Sequence, residues 1–386
     1  MPRLLLNPLF HHDFATTDPE RAPLEFHRRL PGYAVTPLRS LPRLATRLGL
    51  GQILAKDESR RLGLPAYKVL GASWATYRSL EVRGGASLEP WRTLEELRAR
   101  LLSQGALTLV TASDGNHGRG LARVARLLEY RSRIYLPEGT VAARIEAIAG
   151  EGAEVIVVPG TYDETVARAA ADQSPDRALI QDHGWPGYEV VPALVSDGYA
   201  TLFWEVDEAL TADGSPGPDL VVVPIGVGTL AAAAVRHYRR PGLVTPPRLL
   251  GVEPVTAACV LESAAAGAPV SLEARAGSSI MAGLVCGTPS TAAWPLLAGG
   301  FQAFAAIEDD YAVAAMRALA DEGVQAGESG AAAAGALLAL LEGPGAKAAR
   351  EQLGLTSHSR VLVLVTEGVT DPANYRRLID RATPRR

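Results

Sequence analysis

Residues 65–73 read Pro65-Ala66-Tyr67-Lys68-Val69-Leu70-Gly71-Ala72-Ser73 and hold one of only three lysines in the chain, the others being Lys56 and Lys347. All other basic charge is arginine, which keeps its proton at any working pH. A lysine taken out of water can lose its proton and become an amine nucleophile. Tyr67 and Val69 flank Lys68, with Leu64 and Leu70 close by and small residues after it. That is a setting for a buried amine. A lysine whose stem lies along a helix while its ammonium reaches water fits the segment equally. The loops further along the chain bear on the choice.

At 386 residues the chain suits two domains. A hydrophobic content of 47% with 21% charged residues fits a large core rather than disorder. The formal net charge is -4 and no basic stripe stands out, so nucleic acid is not an expected partner. Arg28-Arg29 and Arg60-Arg61 read as solvated surface pairs. The N-terminal Leu4-Leu5-Leu6 is too short a run for a signal peptide, and no run reaches membrane-spanning length. The expectation is a cytoplasmic protein with no membrane partner. Cys259 and Cys286 then read as buried thiols. The seven histidines show no metal-ligand spacing, so no metal is expected, and His11-His12 is placed on a mobile terminus.

The first fifty residues are irregular in pattern. From Leu107 onward, apolar runs alternate with amphipathic helical stretches: strands at 107–112, 132–136, 154–158 and 178–181, with helices between. This is the rhythm of a parallel α/β sheet. Gly184, Pro186 and Gly187 punctuate a crossing between domains. A long helix from about Pro192 precedes a second α/β set with strands at 220–224, 248–252, 301–307 and 360–366. The fold class is α/β, with two open, mostly parallel domains and the active site in the cleft between them.

Three loops carry chemistry. Gly226-Val227-Gly228-Thr229-Leu230 joins the strand Val221-Val222-Val223-Pro224 to a helix. Converging backbone N–H groups and a helix N-terminus make it a phosphate cup. It also satisfies a loose dinucleotide fingerprint, with Glu253 at the end of the next strand, so a nicotinamide dehydrogenase has to be considered. Ser113-Asp114-Gly115-Asn116-His117-Gly118 joins another strand to a helix and suits an anionic oxygen. Asp114 would be unfavourable beside an anion, so it faces an amine or moves a proton. A helix cap is the structural alternative for this loop. Thr366-Glu367-Gly368-Val369-Thr370-Asp371-Pro372 leaves the last strand at the end where ligands of open α/β sheets bind. A lysine able to form an imine, a phosphate cup and an anion-binding loop are together what pyridoxal 5'-phosphate needs.

At this point the residues resemble a known family. Ala66-Tyr67-Lys68, Ser113-Asp114-Gly115-Asn116-His117 and Gly226-Val227-Gly228-Thr229-Leu230 resemble the lysine segment, substrate loop and phosphate loop of the fold-type II, tryptophan synthase β-like pyridoxal phosphate enzymes. Within that group the similarity is to the diaminopropionate ammonia-lyases. It is carried by Lys56-Asp57-Glu58-Ser59 with Arg61-Leu62-Gly63-Leu64, by Asp114 to Gly120, by Met281-Ala282-Gly283-Leu284-Val285-Cys286-Gly287, and by the 366–372 stretch. The resemblance implies β-elimination of 2,3-diaminopropionate to pyruvate and two ammonia, with Lys68 as cofactor anchor and base. It implies Asp114 as a base on the opposite face and Asn116 at the cofactor's ring oxygen. Ser113, Gly115 and His117 would line the carboxylate pocket. Thr366 would meet the pyridine nitrogen, Asp182 the substrate amine, and Tyr67 would lie by the cofactor.

The resemblance further implies a homodimer. Residues 1–78 and 190–386 would form the large domain and 79–189 the small one. The sequence departs from the family at Tyr67, where phenylalanine is usual, at Thr229 in place of serine, and at His183-Gly184, where the substrate wall is expected. Cys259 and Cys286 fall where the family can carry a paired cysteine. A threonine/serine dehydratase or a β-replacing enzyme would share Lys68 and the phosphate loop; Asp114 favours an amine leaving group over a hydroxyl. A non-catalytic ligand-binding protein of the same fold is the remaining alternative, resting on His183-Gly184.

Overall fold

Leu220 to Pro224 is apolar at every position and buried at every position, the mark of a strand covered on both faces. It is one of eleven strands in the computed structural model, which describes residues 2–101, 104–113, 115–273 and 277–380. In chain order they are β1 (Arg3–Leu6), β2 (Leu38–Ser40), β3 (Gln52–Asp57), β4 (Thr108–Ala112), β5 (Arg131–Pro137), β6 (Glu154–Val158), β7 (Arg177–Leu179), β8 (Leu220–Pro224), β9 (Arg248–Pro254), β10 (Ala303–Ile307) and β11 (Arg360–Val365). They form a seven-stranded sheet, β1-β10-β9-β8-β11-β3-β2, and a four-stranded sheet, β6-β5-β4-β7. The small sheet is parallel throughout. The large one is parallel except at its edges, where β1 runs against β10 and β2 against β3.

In the large sheet the chain steps from β8 to β9 and β10 on one side, while β11 and β3 lie on the other. The gap between β8 and β11 is thus a topological switch point. Loops leaving those two strands diverge there and open a crevice. The loops after β8 and β11 are two of the three singled out from the sequence.

Two close approaches bring the rest of the site to that crevice. Helix Val69–Gly84 crosses helix Val190–Ala212 at Gly71 and Gly198, where a Cβ on Gly71 would fall 2.6 Å from the Tyr199 ring and one on Gly198 would fall 2.8 Å from Gly71 Cα. Helix Asn116–Leu128 meets the start of the first of these at Gly120, whose Cβ would lie 3.1 Å from Val69 Cα. The first crossing needs glycine at both positions, and the second leaves little room for more than glycine. The segment after Lys68 therefore lies against both Tyr199 and the substrate loop.

The first fifty residues are more regular than expected. They hold β1, β2 and helices Ala22–Arg28 and Pro42–Arg47. The terminus bearing His11-His12 is tied down: Asn7 Nδ2 donates to the carbonyls of Ala298 and Phe301, each at 2.8 Å, and His11 N donates to Gly299 O at 3.1 Å. Strands of three or four residues on a sheet edge draw their order from the neighbouring strand, which a local pattern does not reveal. Helix Asn116–Leu128 begins inside the loop 113–118 that the sequence set between strand and helix, so Asn116 and His117 sit in its first turn.

Of the Arg60-Arg61 pair, Arg60 is exposed as expected but Arg61 is not. Arg61 is fully buried. Its Nε and Nη2 donate to Glu58 at 2.8 and 2.6 Å, and Nη1 and Nη2 each donate to Glu205 at 2.7 Å. Lys56, equally buried, donates to Glu205 at 2.6 Å and to Thr36 O at 2.8 Å. Two cations and two carboxylates thus neutralise each other between the β3 exit and helix Val190–Ala212. The partners of Arg61 lie 3 and 144 residues away, and the second is invisible to a local reading.

Candidate active site

Lys68 stands at the start of helix Val69–Gly84, and its neighbours are fixed by the last strand's exit. Tyr67 N donates to Thr366 O at 3.4 Å, and Gly368 N donates to Pro65 O at 2.8 Å. Two of the stretches picked out in the sequence are therefore one local structure. The amine is paired with a carboxylate rather than sitting among apolar groups: Lys68 Nζ donates to Asp182 Oδ2 at 2.6 Å. Asp182 was expected to meet a substrate amine; here it meets the lysine's.

Burial of Asp182 resists its ionisation, yet His117, Lys68 and His183 together hold its carboxyl well below the usual carboxylate range. His117 Nδ1 is 3.8 Å from the same Asp182 oxygen. The Tyr67 ring tilts against Tyr199 at 4.7 Å between centroids. Burial, reinforced by Tyr67, raises the Tyr199 hydroxyl well above the ordinary phenol value.

The loop 226–230 turns into helix Thr229–Tyr238 through Gly228, at φ +99°. A Cβ there would meet Leu297 Cδ2 at 2.9 Å, so this bend needs glycine. The Thr229 hydroxyl donates to the backbone carbonyl of Asp182 at 2.7 Å. This ties the cup to the residue that holds Lys68. It also means the hydroxyl hydrogen is already used, so backbone N–H groups are the donors this loop could offer an anion.

The substrate loop divides its labour differently from the expectation. Ser113 Oγ accepts the N–H groups of Gly115 and Gly118, each at 2.9 Å, and thus caps the helix. His117 Nε2 pairs with Ile180 O at 2.8 Å. Both side chains are buried and frame the loop, while Asn116 is the one that lines the cleft. Asn116 Nδ2 donates to Glu367 across that cleft. Asp114, predicted as a base, lies outside the described residues.

The cleft is a cavity of about 370 Å³. Lys68, Tyr67, Asp182, Asn116, the whole 226–230 loop and Thr366 line it. Reasoning from the sequence missed Arg144 and Glu367, which also line it. Arg144 packs on Gly115, with Cδ 3.1 Å from where a Cβ would stand. It belongs to helix Ala142–Ala149, and no motif marks it out from the other arginines. Glu367 was quoted within a stretch but had no partner within reach in sequence.

His183 and Gly184 form no wall of this cavity. Gly184 N donates to Ser290 Oγ at 2.9 Å, and a Cβ at this position would meet that oxygen at 2.8 Å. The departure at Gly184 is a packing feature. Glu253 does not await a ribose: both its oxygens accept helix N–H groups, from Val260 and Leu261, at 2.8 Å. The nicotinamide reading loses its acidic residue. Cys259 and Cys286 are not joined in a disulfide, though the bridge between Ala258 and Cys286 brings them near each other; Cys259 is buried as expected, Cys286 only partly. Among the described residues no group of three or more side chains could hold a metal ion.

A lysine amine, a glycine-turned helix N-terminus and a cavity between them at a switch point define the class: an α/β enzyme built around an imine-forming, phosphate-bearing cofactor. The chain belongs to the pyridoxal-phosphate dependent enzyme family, whose model matches residues 29–367. It is similar to the diaminopropionate ammonia-lyase of Salmonella typhimurium, at 35% identity over 92% of this chain and 90% of that one. The crystal structure of the Escherichia coli diaminopropionate ammonia-lyase in complex with D-serine superposes with a TM-score of 0.90, at 32% identity over 98% of this chain and 97% of that one. Threonine deaminase isoform 2 from Solanum lycopersicum shares the fold, with a TM-score of 0.70 at 20% identity over 97% and 96% of the two chains. The cofactor is pyridoxal phosphate, and the site fits it: a lysine amine opens into the cavity, and the cup facing it is closely packed at its glycines, where a Cβ on Gly226 would fall 3.0 Å from Gly283 O and one on Gly228 2.9 Å from Leu297 Cδ2.

Proposed function

We propose that the protein eliminates ammonia from 2,3-diaminopropionate, giving pyruvate and a second ammonia. The observation that carries this is Lys68 paired with Asp182 in a cavity that also holds the 226–230 cup, in a chain 35% identical to a diaminopropionate ammonia-lyase along nearly its full length. Lys68 anchors the cofactor's aldehyde, and backbone N–H groups at 226–230 hold the phosphate. Thr366 would meet the pyridine nitrogen and Asn116 the ring oxygen. The helix start framed by Ser113, Gly115 and His117 receives the substrate carboxylate.

Pyridoxal phosphate, when bound, supplies the sink for the electron pair left at the substrate α-carbon. Lys68 Nζ, facing the substrate α-carbon, would remove the α-proton. Asp182, at 2.6 Å, then faces the ammonium so formed and holds it in position. Asp114 serves as the base for the opposite face. The β-carbon–nitrogen bond breaks with its electron pair leaving on nitrogen, which takes a proton and departs as ammonia. The 2-aminoacrylate left over reacts with water to give pyruvate and the second ammonia.

We assign residues 1–78 and 190–386 to a large domain and 79–189 to a small one. All four strands of the small sheet lie within 108–179, which supports this division. A homodimer in the cytoplasm is our reading of the assembly and location. No described helix is long and apolar enough to cross a membrane.

The test is an absorbance spectrum before and after 2,3-diaminopropionate, with pyruvate assayed alongside. An imine band that Lys68→Ala abolishes, together with pyruvate release by the unaltered protein, is the expected result. The band without pyruvate would redirect the assignment to another small amino acid or to a binding protein. A protein that stays colourless with added pyridoxal phosphate would overturn the reading.

A further inference from the structure

Glu367 is a buried carboxylate that the reaction above does not use, and it lies against the residue assigned to the cofactor's ring oxygen. It follows Thr366 beyond β11 and is 2% exposed. Its backbone is held firmly. Its carbonyl accepts Gly327 N at 3.0 Å, and a Cβ on Gly330 would fall 2.2 Å from the same oxygen. Oε1 accepts the Ser329 N–H at 3.1 Å, and Oε2 accepts Asn116 Nδ2 from the other side of the cleft. Burial pushes the carboxyl toward its neutral form, and the Arg144 guanidinium opposes that.

An asparagine amide has two distinct ends, one an acceptor and the other a nitrogen with two hydrogens. With one hydrogen committed to Glu367, the second is left for an acceptor in the cavity that Asn116 lines. We infer that Glu367 is a positioning residue: it fixes the Asn116 amide so that Nδ2, and not Oδ1, faces the ring oxygen of pyridoxal phosphate. This rests on the cofactor placement proposed above.

Glu367→Gln tests the assignment directly. The Ser329 N–H is fixed backbone and takes the glutamine oxygen, so the glutamine NH2 faces Asn116. Two NH2 groups cannot pair, so the Asn116 amide turns over and presents its oxygen. The fold keeps its hydrogen bonds while the cofactor meets the wrong end of the amide.

The experiment titrates the cofactor-free protein with pyridoxal phosphate, reading Kd from absorbance, for the unaltered chain, Glu367→Gln, Asn116→Ala and the double variant. Each single variant should raise Kd at least about ten-fold, the worth of one charge-assisted hydrogen bond. The double variant should bind no more weakly than Asn116→Ala alone. The thermal midpoint of cofactor-free Glu367→Gln should be unchanged or higher, because a buried charge is removed. Glu367→Asp, which keeps the charge but draws it back by one methylene, should show the same loss of affinity, and it stands in if the glutamine variant does not fold. Losses that multiply in the double variant, or a Glu367→Gln protein with unaltered Kd, would overturn the inference. An unaltered protein that takes up no cofactor would instead overturn the proposed function.

Discussion

Replacing Glu205 by glutamine should cost about 3–5 kcal/mol of stability, the range for breaking a buried ion pair by removing one partner. The structure shows why the cost is large. Glu205 accepts from Arg61 Nη1 and Nη2 at 2.7 Å, Lys56 Nζ at 2.6 Å and Tyr33 Oη at 2.7 Å. With the carboxylate gone, Lys56 and Arg61 share Glu58 alone, and one positive charge is left out of water without a partner. The assay is urea unfolding of the cofactor-free protein at neutral pH, followed by tryptophan fluorescence.

Charge balance can be separated from shape in the same assay. Lys56→Met combined with Glu205→Gln restores neutrality and leaves the Arg61–Glu58 fork intact. It should recover at least half of the loss, since an apolar pair in place of a buried ion pair is often neutral or better. Acidification supplies a second readout. Burial alone would raise the Glu205 carboxyl, but Arg61 and Lys56 outweigh it and hold the group below its ordinary value of 4.5. A carboxyl depressed in the folded state stabilises fully above its unfolded value and loses that contribution as pH falls through the folded one. The gap between the two proteins should therefore be full at neutral pH and close below about pH 4.5. Burial pulls Lys56 below the ordinary lysine range despite Glu58 and Glu205, so the desolvation penalty falls on the lysine, and its removal in the double variant relieves it. A loss under about 1 kcal/mol in Glu205→Gln, or a double variant weaker than the single, would refute the charge argument.

Two further outcomes follow from the site. Asp182→Asn removes the carboxylate facing Lys68 but keeps the backbone carbonyl that Thr229 holds; kcat/KM should fall about a hundred-fold while the imine band still forms, as steady-state kinetics and spectra would show. Gly228→Ala forces a side chain into φ +99° and to 2.9 Å from Leu297; strain of about 1–3 kcal/mol should weaken pyridoxal phosphate binding about ten-fold, measured by titrating the cofactor-free protein.

Much of the candidate site was legible in the sequence because it is built from short local devices. A strand running into a glycine-rich turn and then a helix makes an anion cup wherever it folds, so 226–230 could be read without coordinates. The strand of continuous apolar residues at 220–224 announced a buried parallel sheet in the same way. The lone lysine after Tyr67 was conspicuous because arginine fills nearly every other basic position. Reading failed where a residue's role is set by partners far along the chain. Glu253 looked like a ribose ligand and caps a helix; Arg61 looked solvated and is buried.

The sequence by itself determined the sheet class and the family and picked out the 226–230 loop and Lys68 as candidates, since each is marked by a pattern over a few residues. Only the tertiary structure decided which side chains meet. Lys68 and Asp182 are 114 residues apart, Asn116 and Glu367 are 251 apart, and Arg61 and Glu205 are 144 apart. Bringing such pairs together depends on helices crossing at Gly71, Gly198 and Gly120 and on the switch point between β8 and β11. The physical reason is that a hydrogen bond or ion pair acts over about 3 Å, while local pattern is silent on which distant segments the packed core brings within that reach.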